Sequence, residues 1–317
     1  MRRVMMVAAL LVSLPVLSAC VHSAIYTSRA EANYPAAGTL IDVNGIKTHV
    51  IETGDKGTPV LMIHGASANA QEFTHTLAPL LQDDFRILMA DRPGHGYSRR
   101  PNGSNQLATQ AAQMAGVIEA RTGGEKAIVV GHSFGGAVAL RVALDRPDLV
   151  EALVLLAPVT HDWGGGGEAW YNKYAANPVF GGPMSQLVPI IGPGRLAGGI
   201  NGVFHPEPAP DNYLEASGVP LLFRPRTFRA NAKDVTNLRS ELAAQQVRYD
   251  ELKMPVTVYN GHRDTVIKPA LHVGRLRTQV PQLEVVDLPE GGHMPHHIHS
   301  EAIAGTIRTL AMADAAE

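Results

Sequence analysis

Ser133, Asp264 and His293 are the residues whose types and settings could perform nucleophilic chemistry in this chain. Ser133 is the centre of Gly131-His132-Ser133-Phe134-Gly135, a G-x-S-x-G run. A serine is a weak nucleophile until a base takes its proton, and the base needs an acid to orient it and offset its charge. Asp264 follows Gly261-His262-Arg263, and His293 follows Gly291-Gly292. Each stands just past an apolar, β-branched run, so both are expected on loops at strand ends. Small residues on either side of Ser133 let a strand turn abruptly into a helix, with the serine at the tip. The helix that begins there offers unpaired N–H groups to a developing anion.

The positioning elements follow from patterning. Lys126 to Val130 reads as the strand before Ser133, and Phe134 to Asp145 as the helix after it, ended by Pro147. Met254 to Gly261 and Leu283 to Leu288 read as the strands before the acid and the histidine. Pro59 to Ile63, Arg86 to Ala90 and Val150 to Leu156 are short apolar runs, as in strands buried on both faces. Thr39 to Val43 and Ile46 to Glu52 flank Asn44-Gly45, a strong hairpin signal. Gln71 to Leu81, Gln106 to Arg121 and Asn231 to Asp250 read as helices. Alternating strands and helices predict an α/β fold with a mostly parallel sheet covered on both faces.

The order Ser, Asp, His is the one associated with α/β-hydrolases. From Thr39 to Leu310 the chain resembles that superfamily, specifically its capped serine hydrolases. The resemblance rests on His64-Gly65, Asp91-Arg92-Pro93-Gly94-His95-Gly96, Gly131 to Gly136, Gly261-His262-Arg263-Asp264 and Gly291-Gly292-His293. It implies an acyl-enzyme hydrolase with Ser133 as nucleophile, His293 as base and Asp264 as orienting acid. The backbone N–H groups of Ala66 and Phe134 would form its oxyanion hole, with Gly65 turning the first of them inward. The implied substrate is a small-molecule ester or lactone, with no cofactor. An acyltransferase, a carbon–carbon bond hydrolase or a perhydrolase would use the same triad, and a non-catalytic binding lipoprotein is a remoter reading. Serine at 133 rather than aspartate argues against the related haloalkane dehalogenases and epoxide hydrolases. Some members place the acid after the preceding strand, where Asp162 stands; the turn at Gly261 favours Asp264.

The resemblance also implies domain limits. Residues 39–160 and 251–317 form the core domain, and residues 161–250 an inserted helical cap. The cap region is rich in glycine, proline and aromatics, including Gly164 to Gly167. Its aromatic and apolar residues are candidates for an acyl or alcohol pocket, or for the cap's own small core.

Composition sets outer bounds. The chain has 317 residues and a formal net charge of −2, so nothing in its charge points to nucleic acid. Met1-Arg2-Arg3 followed by an apolar run to Leu17 and by Leu17-Ser18-Ala19-Cys20 resembles a bacterial lipoprotein signal. Cys20 is the chain's one cysteine and stands where lipid would attach. Residues 1–19 are therefore expected as a signal peptide and 20–38 as a polar, unpatterned tether. The expected location is the bacterial cell envelope, anchored through lipid, with Val21 fitting an outer-membrane protein facing the periplasm.

Other polar clusters have blander readings. Asp91 is expected to tie down the backbone of its Pro/Gly loop, which His95 shares. The histidines at 296, 297 and 299 read as a solvated helix start, since no acid or cysteine partner has metal spacing. No metal is expected.

Overall fold

A computed structural model describes residues 2–166 and 169–314. Met1 of the expected signal, Gly167 of the glycine run and residues 315–317 lie outside the described residues. Eight strands form one sheet in the order β1-β2-β4-β3-β5-β6-β7-β8. They are β1 (Thr39–Val43), β2 (Ile46–Thr53), β3 (Pro59–Ile63), β4 (Arg86–Ala90), β5 (Ala127–His132), β6 (Val150–Leu156), β7 (Val256–Gly261) and β8 (Leu283–Leu288). The β1–β2 hairpin is antiparallel and joins β4 antiparallel; all later pairings are parallel. Asn44 and Gly45 both have positive φ, the backbone that a tight hairpin turn demands.

Strand alternation divides the core in two. Leu61 and Ile63 of β3 and Val129 of β5 pack with the helices Leu107–Thr122 and Phe134–Asp145. Val60 and Met62, with Ile128 and Val130, pack on the other face with Leu81 and with Ile303 and Ile307 of the helix Ser300–Asp314. Helices thus cover both faces, as the apolar runs predict. Between β6 and β7 the described chain is helices and connecting segments, closing with the long helix Pro225–Gln245, which starts and ends before the expected 231–250, and the 3-10 turn Gln246–Glu251.

Two local expectations change. The helix expected over 71–81 is broken into a 3-10 turn, Ala70–Phe73, and a short helix, Ala78–Leu81. Pro79 has no N–H to continue a helical ladder from residue 75, so the chain starts a new turn there. The segment expected as an unpatterned tether is helical: Arg2–Asn33 is one helix, and its second half is docked rather than loose. Ser23 is buried, the Tyr26 hydroxyl donates to the Pro220 carbonyl at 3.0 Å, and Glu31 pairs with the buried Arg224 at 2.8 Å. Polar side chains hid this packing because they face partners far along the chain.

Candidate active site

Ser133 stands between β5 and its helix with φ 52° and ψ −115°, a strained conformation for a non-glycine residue. The glycines around it are matters of space. A Cβ on Gly135 would lie 2.1 Å from the Ile63 carbonyl oxygen of β3, and one on Gly131 would lie 2.6 Å from the Gly135 oxygen. The helix can therefore start directly against the sheet only with glycine at both places. The Ser133 N–H donates to Leu156 O at 2.9 Å, which fixes the tip to the end of β6. Phe134, the first residue of the helix, presents one of the N–H groups that a helix start leaves without an intrahelical acceptor.

Asp264 and His293 are brought together by their loops. A Cβ on Gly261 would lie 2.2 Å from the Gly292 oxygen, so the loops after β7 and β8 touch backbone to backbone. Arg263 N–H donates to Gly291 O at 2.9 Å and His262 N–H to Leu288 O at 3.0 Å. Asp264 Oδ2 then lies 2.6 Å from His293 Nδ1, with both side chains buried. The second carboxylate oxygen accepts from Val266 N–H at 2.7 Å and Ile267 N–H at 3.0 Å, which locks its rotamer. Since the carboxylate accepts at Nδ1, that nitrogen carries the proton and Nε2 is left as the basic atom. Asp162 lies elsewhere, held by Gly164 N–H at 2.8 Å and Arg239 Nε at 2.7 Å.

Ser133, His293 and Ala66 all line one cavity of about 570 Å³, whose lining continues over residues between β6 and β7 such as Trp170, Leu187 and Ile191. Its lining is mostly apolar, with few polar groups.

Several residues that sequence reasoning passed over hold this arrangement. His132 Nε2 donates to the His293 carbonyl at 3.0 Å, coupling the residue before Ser133 to the loop of His293. Burial, and then the nearby His296 and His293, push the His132 imidazole well below its ordinary value, so it stays neutral. Glu207, from the insertion, accepts from Gly292 N–H at 3.0 Å and so grips the residue before His293. Arg92 is fully buried and donates to the carbonyls of His64 at 3.1 Å and Gly65 at 3.0 Å, orienting the loop that carries Ala66. The same guanidinium pairs with Asp234 of the helix Pro225–Gln245 at 3.1 Å and lies 4.2 Å from the centre of the Phe134 ring. Asn231 of that helix accepts from Ser67 N–H at 2.7 Å. Arg92 stands in a motif already noted, but nothing local marks Glu207, Asn231 or Asp234. Gly65 is glycine for room rather than for a positive φ: a Cβ there would sit 3.0 Å from His132 Nδ1 and 3.2 Å from Ser133 Cβ.

Asp91 does tie down backbone, accepting from Ala70 N–H and Tyr97 N–H at 2.8 Å each, and it also pairs with His49 at 2.7 Å. His95 is buried beside Arg92. The solvated reading of His296 and His297 is corrected. His296 is fully buried, and the two imidazoles donate from Nε2 to one oxygen of the buried Glu72, at 3.1 Å and 2.8 Å. Glu72 lies more than two hundred positions earlier, so no spacing rule finds it. Burial alone would raise the Glu72 carboxyl, but the two imidazole hydrogen bonds outweigh it and hold the group below its ordinary value. These three side chains offer ligand atoms within 4.8 Å of one another and could hold a divalent cation; as placed, they satisfy each other.

The comparisons with known proteins agree on the fold. A family model described as alpha/beta hydrolase fold matches residues 58–181. The acetyltransferase component of an acetoin cleaving system from Cupriavidus necator is 36% identical over 165 residues, 51% of this chain and 41% of that protein. A 2-hydroxy-6-oxo-2,4-heptadienoate hydrolase from Pseudomonas putida is 31% identical over 125 residues, 38% of this chain and 45% of that protein. The chain thus spans less than half the length of these relatives. An esterase structure from Exiguobacterium antarcticum superposes with a TM-score of 0.66 at 20% identity, covering 87% of this chain and 99% of the other. The chain has the α/β-hydrolase fold.

Proposed function

We propose that this protein is a serine hydrolase that cleaves a carboxylic ester or lactone through an acyl-enzyme. The observation that carries the reading is the 2.6 Å pairing of His293 with Asp264, on a histidine that shares one cavity with a strained Ser133. With its Nδ1 proton held by Asp264, His293 Nε2 takes the Ser133 proton as Oγ attacks the carbonyl carbon. The N–H groups of Ala66 and Phe134 hold the oxyanion. His293 then protonates the leaving alcohol, and the C–O bond breaks. Water, deprotonated by the same imidazole, attacks the acyl carbon and releases the acid and Ser133. No step draws on a metal or an organic cofactor.

Cys20, exposed on the N-terminal helix, is the proposed site of lipid attachment, and the envelope membrane the proposed location. No helix among the described residues is long and apolar enough to cross a membrane, and a lipid anchor does not need one.

A fluorophosphonate probe tests the chemistry. It should label the wild-type protein and leave Ser133→Ala unlabelled, and hydrolysis of p-nitrophenyl esters should fall about 10⁴- to 10⁶-fold in that variant. Wild-type labelling of Ser133→Ala refutes the assignment. Adding alcohol acceptors separates hydrolysis from acyl transfer by its products.

A further inference from the structure

We infer that the helical insertion lies on an anionic lipid bilayer, and that the cavity takes from it an ester or lactone carrying a long apolar chain. The inference rests on the proposed hydrolase reading and on Cys20 as lipid carrier. Its first support is a set of exposed apolar side chains on the insertion. Trp170, Tyr174, Val179, Phe180 and Ile190 are all exposed, Val179 by 69% and Trp170 by 66%. Tryptophan and tyrosine mixed with aliphatic side chains suit the water–lipid boundary. The second is charge. Residues 169–206 contain no Asp or Glu, but they do contain Lys173 and Arg195, so this segment suits an anionic surface.

The third support names the occupant. The N-terminal helix packs against the helix Val188–Ile191 and the turn Val219–Phe223 of the insertion. Cys20 lies six residues before the docked Tyr26 in that helix, about 9 Å along its axis at 1.5 Å per residue. A lipid on Cys20 therefore has no slack by which the domain could turn its insertion away from the membrane. Val21 and Ile25, on the same helix, are exposed apolar side chains as well.

The substrate class follows from where the cavity opens. Trp170, Tyr171, Leu187 and Ile191 are exposed and also line the cavity that holds Ser133. Its mouth therefore passes through the docking surface. A chain dissolved in the bilayer can enter there without crossing water, and its carbonyl then meets Ser133 as in the mechanism above.

Tryptophan fluorescence decides the matter, because the chain has only Trp163 and Trp170. The full-length processed protein in a Trp163→Phe background is reconstituted into phosphatidylethanolamine–phosphatidylglycerol vesicles, with and without lipids brominated on the acyl chain. Trp170 emission should fall at least about twofold with bromolipid. If Trp163→Phe disturbs folding, the wild-type protein with Trp170→Phe as its control gives the same difference. A second set of variants, Val179→Asp and Phe180→Asp, should lose the quenching. They should also lose about tenfold of the turnover of a long-chain ester held in the vesicles, with hydrolysis of a soluble short-chain ester unchanged. Emission indifferent to bromine overturns the inference. Ser133→Ala should be quenched like wild type, so failure of the hydrolase reading shows separately as lost labelling. The mass of the N-terminal peptide reports lipid on Cys20. If that peptide is unmodified, the same protein added to the vesicles from solution still gives or fails to give the quenching.

Discussion

His293 Nδ1 lies 2.6 Å from Asp264 Oδ2, and the contact is made because two glycine-bearing loops touch at Gly261 and Gly292. Asp162 has its own partners in Gly164 and Arg239. Asp264→Asn should therefore lower turnover by about 10⁴-fold, as when the orienting acid of such a triad is lost. Asp162→Asn should cost at most about tenfold. Turnover of both folded variants at neutral pH checks this, and the reverse pattern moves the acid to Asp162.

Glu207 acts at one remove, through its hydrogen bond from the Gly292 N–H at 3.0 Å. Glu207→Ala should lower kcat about tenfold with KM for a short ester little changed, because the base is misplaced rather than the pocket. Glu207→Gln keeps an acceptor oxygen and should restore most of the rate. Equal loss in both variants would show that the charge, not the grip on Gly292, is what matters.

The buried histidines predict acid sensitivity. Burial pushes His64 down to about 3, and His272 and His296 to about 4, from an ordinary 6.5. His95 and His132 are likewise driven well below that value, first by burial. Between the folded value and 6.5 such a group binds its proton only in the unfolded chain. Its neutral form costs nothing above about pH 6.5, and stability falls as pH drops through that value. The protein should therefore lose stability progressively as pH falls below about 6.5. The depressed Glu72 carboxyl adds loss in the same direction at lower pH, below its ordinary value of 4.5. Circular dichroism melts from pH 7 to 4.5 check this; a flat Tm down to pH 5 contradicts it.

Location is checked at Cys20. Wild type should incorporate labelled palmitate and sediment with envelope membranes, whereas Cys20→Ser should take up no label. Several acyl chains, each contributing about 0.8 kcal/mol per buried CH₂, make release negligible. An unmodified N-terminal peptide in the wild-type protein sinks the assignment.

The sequence by itself determined what depends on neighbours along the chain. Apolar runs such as Pro59 to Ile63 mark strands buried on both faces, Asn44-Gly45 marks a hairpin, and the Gly131 to Gly135 spacing marks a strand–helix turn that only small residues permit. Sequence order also placed Asp264 and His293 on loops after strands. What lay beyond it was any property set by groups distant in sequence. Pairing of the two loops, burial of His296 and His297 on Glu72, and the hold of Glu207, Asn231 and Asp234 on the core loops come from tertiary packing. The docked helix at residues 20–33 was illegible for the same reason. Its pattern is polar, and Tyr26 and Glu31 find their partners at Pro220 and Arg224, near two hundred positions away. A local window registers propensity and periodicity, but a polar side chain's burial depends on the partner that satisfies it, and only the folded chain brings that partner near.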